Sequence, residues 1–174
     1  HSTPLHMEWD QKKFNIIDSP GYSDFIGESI SSLAVVDMAV VTIHAVNGIE
    51  VGTETMWGNA TELGIPKVLV VNGLDREHTK FDDILKEAKE RFGRNVFPMQ
   101  LPVNAGPGFN QNIDVLRREL ITFKTDGSGD YSEGDLPENL VSEVDALHSE
   151  LIEYVAESDD SLLEKYFEQG NLSE

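Results

Sequence analysis

Short apolar runs alternate with segments of helical periodicity along this chain, and that alternation restricts the fold more than any other feature. Residues 39–43 and 66–71 are rich in β-branched side chains, as strands covered on both faces are. Helical patterns follow them over about residues 53–63 and 81–92, and a glycine stands after each, where a helix can end. Strands separated by helices predict an α/β fold with a mostly parallel sheet and right-handed crossovers.

The chain before residue 39 predicts a hairpin and a first helix. Residues 5–9 alternate in polarity and residues 14–17 are apolar, so we expect an antiparallel pair joined by a turn over residues 10–13. Ser23 is placed to cap a helix that reaches about Val36.

The pattern changes near residue 104, so we predict two parts, residues 1–103 and residues 104–174. The remaining predicted elements are, in order, a sheet strand at residues 96–101, short strands at 112–115 and 120–124, a loop at 125–134, a helix from Pro137 and a last helix capped by Ser158.

Charge restricts the partners of such a chain. The formal charge is −19 over 174 residues. Residues 1–103 carry 9 basic and 15 acidic side chains, whereas residues 104–174 carry 4 basic and 17 acidic ones, a net charge of −13. A surface this acidic repels nucleic-acid phosphates and attracts a basic protein, although an acidic face that only maintains solubility gives the same pattern. We therefore expect no direct, sequence-specific contact with nucleic acid.

Residue types that are absent exclude several classes of site. The chain has no cysteine, which excludes disulfides and zinc thiolates and suits a reducing compartment such as the cytoplasm. No apolar run reaches the roughly 18 residues that a membrane span needs, so no membrane association is expected. The five histidines give no metal-ligand spacing, and we interpret His44 as structural and Asp82-Asp83 as helix-start charges.

The segment Asp18-Ser19-Pro20-Gly21 stands where an apolar strand meets a helical pattern. Parallel α/β sheets bind ligands at the carboxyl ends of their strands, and Asp18 is predicted at such an end. A carboxylate there can orient water on Mg²⁺, and the Gly21 N–H can bond a terminal phosphate, since glycine lets the backbone approach closely. The alternative interpretation of the same residues is a strand followed by a Pro-Gly turn that binds no ligand.

The segment Asn72-Gly73-Leu74-Asp75 directly follows the predicted buried strand at residues 66–71. A carboxylate at Asp75 can accept hydrogen bonds from the ring N–H and the amino group of guanine, which adenine cannot supply. Asn72 can bond the base edge or tie neighbouring loops together. A turn built from Asn and Gly is the alternative interpretation.

The two segments resemble motifs of the translational GTPases. Residues 14–25 resemble their Asp-x-Pro-Gly motif, and residues 70–76 resemble their Asn-Lys-x-Asp guanine motif. Residues 98–102 and 157–166 are similar to segments that enter and occupy the inserted subdomain of elongation factor G. With Tyr22 directly after Gly21, the motif resembles that of the elongation factor G-like branch in which tyrosine follows Asp-x-Pro-Gly.

This resemblance implies a partial P-loop GTPase domain in residues 1–103 and part of an inserted acidic α/β subdomain in residues 104–174. It implies GTP or GDP with Mg²⁺, action on the ribosome, and binding of the basic ribosomal stalk protein through residues 137–168. The implied nucleotide-binding residues are Asp18, Pro20, Gly21, Asn72 and Asp75. Asp18 would serve Mg²⁺ through water, Gly21 the γ-phosphate, and Asn72 and Asp75 the base. Tyr22 stands at the water-positioning place.

The chain departs from the family pattern at functional positions. No glycine is followed by lysine, so the phosphate loop Gly-x-x-x-x-Gly-Lys-Ser/Thr is not among these residues. Gly73 replaces the lysine that would pack along the base, and Tyr22 replaces the water-positioning histidine of most relatives. We therefore expect a fragment of an elongation factor G-like protein that binds and hydrolyses GTP in translation, with the fragment itself nearly inactive.

Two other interpretations stay open. The chain is alternatively a non-catalytic interaction module, derived from a GTPase, that recruits a basic partner through its acidic helices. An unrelated flavodoxin-like domain requires both motifs to be coincidences.

Overall fold

The computed structural model describes residues 1–93, 95–157 and 164, and the helix predicted from Ser158 lies outside them. The chain forms two compact units, His1–Gly73 and Leu74–Glu174. The predicted division at residues 103 and 104 concerns the inserted subdomain and stays a prediction.

The first unit contains two strand pairs and two α-helices. Its elements are β1 (Thr3–Trp9), β2 (Lys12–Asp18), a 3₁₀ turn (Ser23–Phe25), α1 (Ile26–Leu33), β3 (Ala39–His44), α2 (Val51–Glu62) and β4 (Lys67–Asn72). Both α-helices end earlier than the sequence predicts, α1 by three residues and α2 by one.

The predicted hairpin is confirmed, and its turn is tighter than expected. β1 and β2 pair antiparallel, with Trp9 opposite Lys12 at the closed end. The two residues between them, Asp10 and Gln11, have φ angles of 47° and 59°. Positive φ at both positions matches the right-handed twist of the flanking strands. The hydrogen bonds of β2 are thus made to β1 and not to the parallel strands.

β3 and β4 pair in parallel, and their neighbours in sequence, α1 and α2, help to form the core. Leu33, Ala39 and Ala60 are buried together, with Val36, Met56 and Ile65 packed against them. The prediction that both faces of these strands are covered was wrong for the described residues. β3 alternates buried and exposed positions, and the Val40 side is open.

The predicted capping role of Ser23 was also wrong. The backbone N–H of Phe25 donates to the Tyr22 carbonyl at 3.0 Å, which closes a 3₁₀ turn over Ser23. α1 then begins at Ile26, and its start has no side-chain cap.

The second unit combines helices with an antiparallel sheet. Its elements are α3 (Phe81–Phe92), β5 (Gln100–Pro102), β6 (Gln111–Asp114), β7 (Glu119–Phe123), β8 (Tyr131–Gly134) and α4 (Val141–Ala156). The sheet order is β5-β6-β7-β8. The bounds of α3 are those that the sequence predicts, and Asp82 and Asp83 lie in its first turn, as interpreted.

Two predictions for this unit need correction. The strand predicted over residues 96–101 forms only at Gln100–Pro102 and pairs antiparallel with β6, its neighbour in sequence, rather than joining a parallel sheet. The predicted loop at residues 125–134 contains β8, because residues 131–134 complete the sheet against β7.

α4 packs into its unit through one face and begins four residues later than the helix predicted from Pro137. Val144 and Leu151 are buried, and the His148 ring contacts the Val115 carbonyl at 3.1 Å. The helix begins at Val141, after a turn in which the Leu140 N–H donates to the Pro137 carbonyl. The helices that the structure describes are all too short or too polar to cross a membrane.

Candidate functional site

The first predicted site segment follows β2 directly. Asp18 is the last residue of that strand, lies opposite Thr3 and is exposed. Gly21 and Tyr22 are also exposed, and 79% of the Tyr22 surface is accessible. The middle of the segment, Ser19 and Pro20, is half-buried. The segment therefore presents its two ends to solvent and turns its middle toward the protein.

Serine hydroxyls of α1 anchor that middle. Ser29, with only 7% of its surface exposed, donates to the Pro20 carbonyl at 3.0 Å. Ser19 donates to the Ser32 hydroxyl at 2.9 Å. Serines 29 and 32 lie one turn apart on the helix and so share a face. Two consecutive residues of the segment are thereby fixed to one helix.

Gly21 leaves open space where a side chain would stand. A methyl group built on it would meet no atom within 4 Å, so the backbone there is accessible to a ligand. A methyl group on Gly52, in the first turn of α2, would lie 3.6 Å from the Gly21 carbonyl oxygen. The start of α2 therefore stands beside the segment.

The second predicted segment begins at the end of β4. Asn72 pairs with His44, and its carbonyl accepts a hydrogen bond from the Ala45 N–H at 2.8 Å. Its side-chain oxygen accepts the Gly73 N–H at 2.8 Å, and Gly73 has a φ of 79°. The turn that was the alternative interpretation is therefore present, and the exposed Asn72 amide group forms part of it.

Asp75 belongs to the second unit. Its carboxylate lies 4.0 Å from the Arg76 side chain, and 64% of the Asp75 side chain is exposed. The Gly106 N–H donates to the Leu74 carbonyl at 2.7 Å and anchors the chain just before it. Asp75 is thus an accessible acceptor on a fixed backbone.

The predicted residues are not all joined by contacts. β2 and β4 lie in separate two-stranded sheets, and no hydrogen bond or ion pair among the described residues connects Asp18 or Gly21 to Asn72. Nor do the described residues contain a cluster of three or more His, Asp or Glu side chains suited to a metal. A single exposed carboxylate matches the needs of Mg²⁺, which keeps most of its water ligands.

Two further observations bear on the predictions. The His44 ring accepts a hydrogen bond from the Val46 N–H at 3.2 Å, and its interpretation as a structural residue stays a prediction. The anchoring serines 19, 29 and 32 were missed by the sequence reasoning. Their signal was the cluster of serines in α1, where two lie three residues apart.

Comparison with known proteins identifies the family. The sequence matches the elongation factor Tu GTP binding domain over residues 1–173. The chain belongs to this family.

A solved structure supports the assignment. The chain superimposes on a crystal structure of a protein from Thermus thermophilus with a TM-score of 0.86 and 30% sequence identity. The match covers 98% of this chain and 25% of the other, so the chain spans about a quarter of that protein. The predicted fold class, a partial P-loop GTPase domain of α/β type, is confirmed.

The residues of the first unit fit part of a guanine nucleotide with Mg²⁺, which the family implies. The exposed Asp18 carboxylate is a hard oxygen ligand, and the accessible backbone at Gly21 suits a phosphate oxygen. The lysine-bearing phosphate loop of such sites is not among the 174 residues.

Proposed function

We propose that this chain is part of an elongation factor G-like protein that binds and hydrolyses GTP during translation on the ribosome, in the cytoplasm. The observation that carries the proposal is the segment at residues 18–21, exposed at both ends and anchored in the middle, within a chain that matches a GTP-binding family along its length. An anchored segment holds a backbone donor in place without an ordering cost when the ligand arrives.

The site residues divide between the two ends of the nucleotide. Asp18 would hold Mg²⁺ through water, and the Gly21 N–H would donate to the terminal phosphate, with Pro20 fixing the bend between them. When bound, Mg²⁺ supplies positive charge that offsets the charge of the phosphate oxygens. Tyr22 occupies the place from which a side chain would position water, and its phenol is a poor proton acceptor at neutral pH.

Asn72 and Asp75 would read the guanine base. Asp75 is exposed and carries acceptors only, which suits the two donors on the guanine edge. Asn72 would support the base from its turn, since its side-chain oxygen already accepts the Gly73 N–H.

A substitution at Asp75 tests the proposal in the full-length protein that contains this chain. Asp75→Ala removes two charge-assisted hydrogen bonds, each worth about 1.5–3 kcal/mol, so the GTP dissociation constant should rise by at least about 10-fold. Asp82→Ala, at an exposed carboxylate in the first turn of α3, is the matched control and should leave affinity unchanged. Failure of the unmodified protein to bind GTP would refute the proposal.

The 174-residue chain by itself is expected to bind GTP weakly and to hydrolyse it negligibly. Most phosphate contacts in such sites come from the Gly-x-x-x-x-Gly-Lys-Ser/Thr loop, and no glycine in this chain is followed by lysine. Calorimetric titration of the chain with GTP should give an affinity weaker than micromolar.

Contact with the basic ribosomal stalk protein through residues 137–168 belongs to the same proposal. Glu143, Glu150 and Glu153 are exposed on α4, within a half of the chain whose net charge is −13. The same surface supports the second candidate function, a non-catalytic module that recruits a basic partner. The two differ in whether partner binding needs nucleotide.

A further inference from the structure

We propose that Ser19 and Ser32 are positioning residues that hold the Asp18–Gly21 segment in the arrangement that a terminal phosphate requires. This inference rests on the proposed GTP-binding function. Neither side chain is assigned a contact with the nucleotide, since both are half-buried and bond to other serines.

Three serines from separate parts of the first unit meet in a triangle. Ser2 precedes β1, Ser19 follows β2, and Ser32 lies in the last turn of α1. Their hydroxyl oxygens are 3.1 Å apart for Ser2 and Ser19, 2.9 Å for Ser19 and Ser32, and 3.1 Å for Ser32 and Ser2. The triangle therefore ties the hairpin, the segment after it and the helix together.

The three hydroxyl groups cannot donate to all of their contacts at once. Ser32 also lies 2.9 Å from the Glu28 carbonyl, which adds a fourth contact to the three sides of the triangle. Each of the three hydroxyl groups has only one hydrogen to donate. With Ser19 donating to Ser32, Ser2 can donate to Ser19, and Ser32 donates either to the Glu28 carbonyl or to Ser2. Ser32 then accepts the only hydrogen of Ser19, and loss of the Ser32 hydroxyl leaves Ser19 without that acceptor.

The location of Ser19 makes this bond relevant to phosphate. Ser19 lies between Asp18 and Pro20, and the carbonyl of Pro20 is held by Ser29 from the same helix. The Gly21 N–H follows directly, so its direction depends on two consecutive anchored residues. Because GDP lacks the terminal phosphate, loosening this backbone should weaken GTP binding more than GDP binding.

Ser31 supplies a matched control on the same helix. Its hydroxyl donates to the Gly27 carbonyl at 2.8 Å, the same bond to the fourth preceding residue that Ser32 makes to Glu28, and it is exposed. Ser31→Ala therefore removes one serine hydroxyl and one helix contact without touching the triangle. Ser19→Thr keeps a hydroxyl on the Cβ and serves as the conservative variant.

The experiment compares Ser19→Ala, Ser32→Ala, Ser19→Thr and Ser31→Ala in the full-length protein. Dissociation constants for GTP and GDP are measured by titration, together with amide hydrogen exchange of residues 18–21 without nucleotide. Loss of one hydrogen bond of about 1 kcal/mol corresponds to an approximately five-fold change. We expect the two alanine variants of the triangle to weaken GTP binding about five-fold relative to GDP and to speed exchange at Gly21.

Ser31→Ala should keep both values, and Ser19→Thr should restore the GTP preference. An unchanged ratio of GTP to GDP affinity in Ser19→Ala and Ser32→Ala, in a protein that binds GTP, would overturn the positioning role alone. Unchanged amide exchange at residues 18–21 in Ser19→Ala and Ser32→Ala would also overturn the positioning role, even if these variants unfold more easily than the unmodified protein. Absence of GTP binding by the unmodified protein would refute the proposed function together with this inference.

Discussion

Ser29 donates its hydroxyl hydrogen to the carbonyl oxygen of Pro20 at 3.0 Å, and this bond joins a buried position of α1 to the segment after β2. The same helix packs its other end into the core through Leu33. α1 therefore connects the core to the segment after β2 and restrains that segment. The exposed ends of the segment are the parts proposed to contact phosphate and Mg²⁺. The order of that segment depends on side chains outside the motif itself.

Removal of the Ser29 hydroxyl should loosen the segment. Ser29→Ala leaves the half-buried Pro20 carbonyl without this donor, which should lower the free energy of local opening by about 1 kcal/mol. Amide hydrogen exchange at residues 18–25 measures that free energy. Exchange as slow as in the unmodified protein would show that the bond contributes nothing to local order.

The hairpin turn offers a stabilising change. Gln11 adopts a φ of 59°, which costs a non-glycine residue energy, and the favoured residue at the second position of such a turn is glycine. Gln11→Gly should therefore raise the free energy of unfolding by about 0.5–1 kcal/mol, measured by chemical denaturation. Gln11→Ala keeps the Cβ and should give no gain. Equal stabilities of the two variants would contradict the argument.

The parts of this fold that the sequence predicts correctly are those with local signals. The hairpin, α3 and the strands β6 and β7 all arise from periodicity or from a glycine at a helix end. Ser23 was misread because a hydrogen bond between Phe25 and Tyr22 converts the expected cap into a 3₁₀ turn. β-branched composition could not reveal that one face of β3 is open among the described residues.

In the candidate site too, the sequence predicts the features that depend on neighbouring residues and misses those that depend on tertiary contacts. Asp18 and Gly21 are recognisable as a motif because they are close in sequence. The contact between Ser19 and Ser32 spans 13 residues, and its formation depends on the angle at which α1 leaves the turn. No periodicity encodes that angle, so the anchors of the segment are visible only in the structure.

Asp126 should show a pH dependence that the Ser128 side chain controls. Hydrogen bonds from the Ser128 side chain and backbone hold the pKa of Asp126 below its ordinary value, and the backbone bond is 2.9 Å long. A lowered folded pKa means that the stabilisation is present above the unfolded pKa and is lost as pH falls through the folded one. Ser128→Ala should move the pKa of Asp126 upward, though not fully, since the backbone N–H remains.

Carboxyl carbon shifts followed by nuclear magnetic resonance between pH 2 and about 6 measure this change, a range that covers ordinary Asp titration. Ser142→Ala, at an exposed position of α4, is the control and should leave the Asp126 titration unchanged. A curve for Ser128→Ala that superimposes on the unmodified one would show that the side-chain bond is not formed in solution.

The exposed glutamates of α4 should contribute unequally to the binding of a basic partner. Glu150 lines an open pocket of about 510 Å³ together with residues of α3, both lysines (Lys86 and Lys89) and acids (Asp82 and Glu90), so it faces its own unit as well as solvent. Glu143 and Glu153 do not line that pocket. A basic partner should therefore depend more on these two residues than on Glu150.

Charge reversal tests this difference with purified stalk protein as the binding partner. Glu143→Lys and Glu153→Lys should each weaken binding, by about three- to ten-fold at low salt, and Glu150→Lys should weaken it less. Binding should also fall as salt rises, because exposed charges are screened within about 10 Å at 0.1 M salt. Affinities measured by titration with and without GTP separate the two candidate functions: persistence of binding without nucleotide favours the non-catalytic module. Equal affinities for all three variants and the unmodified protein would show that the acidic face only maintains solubility.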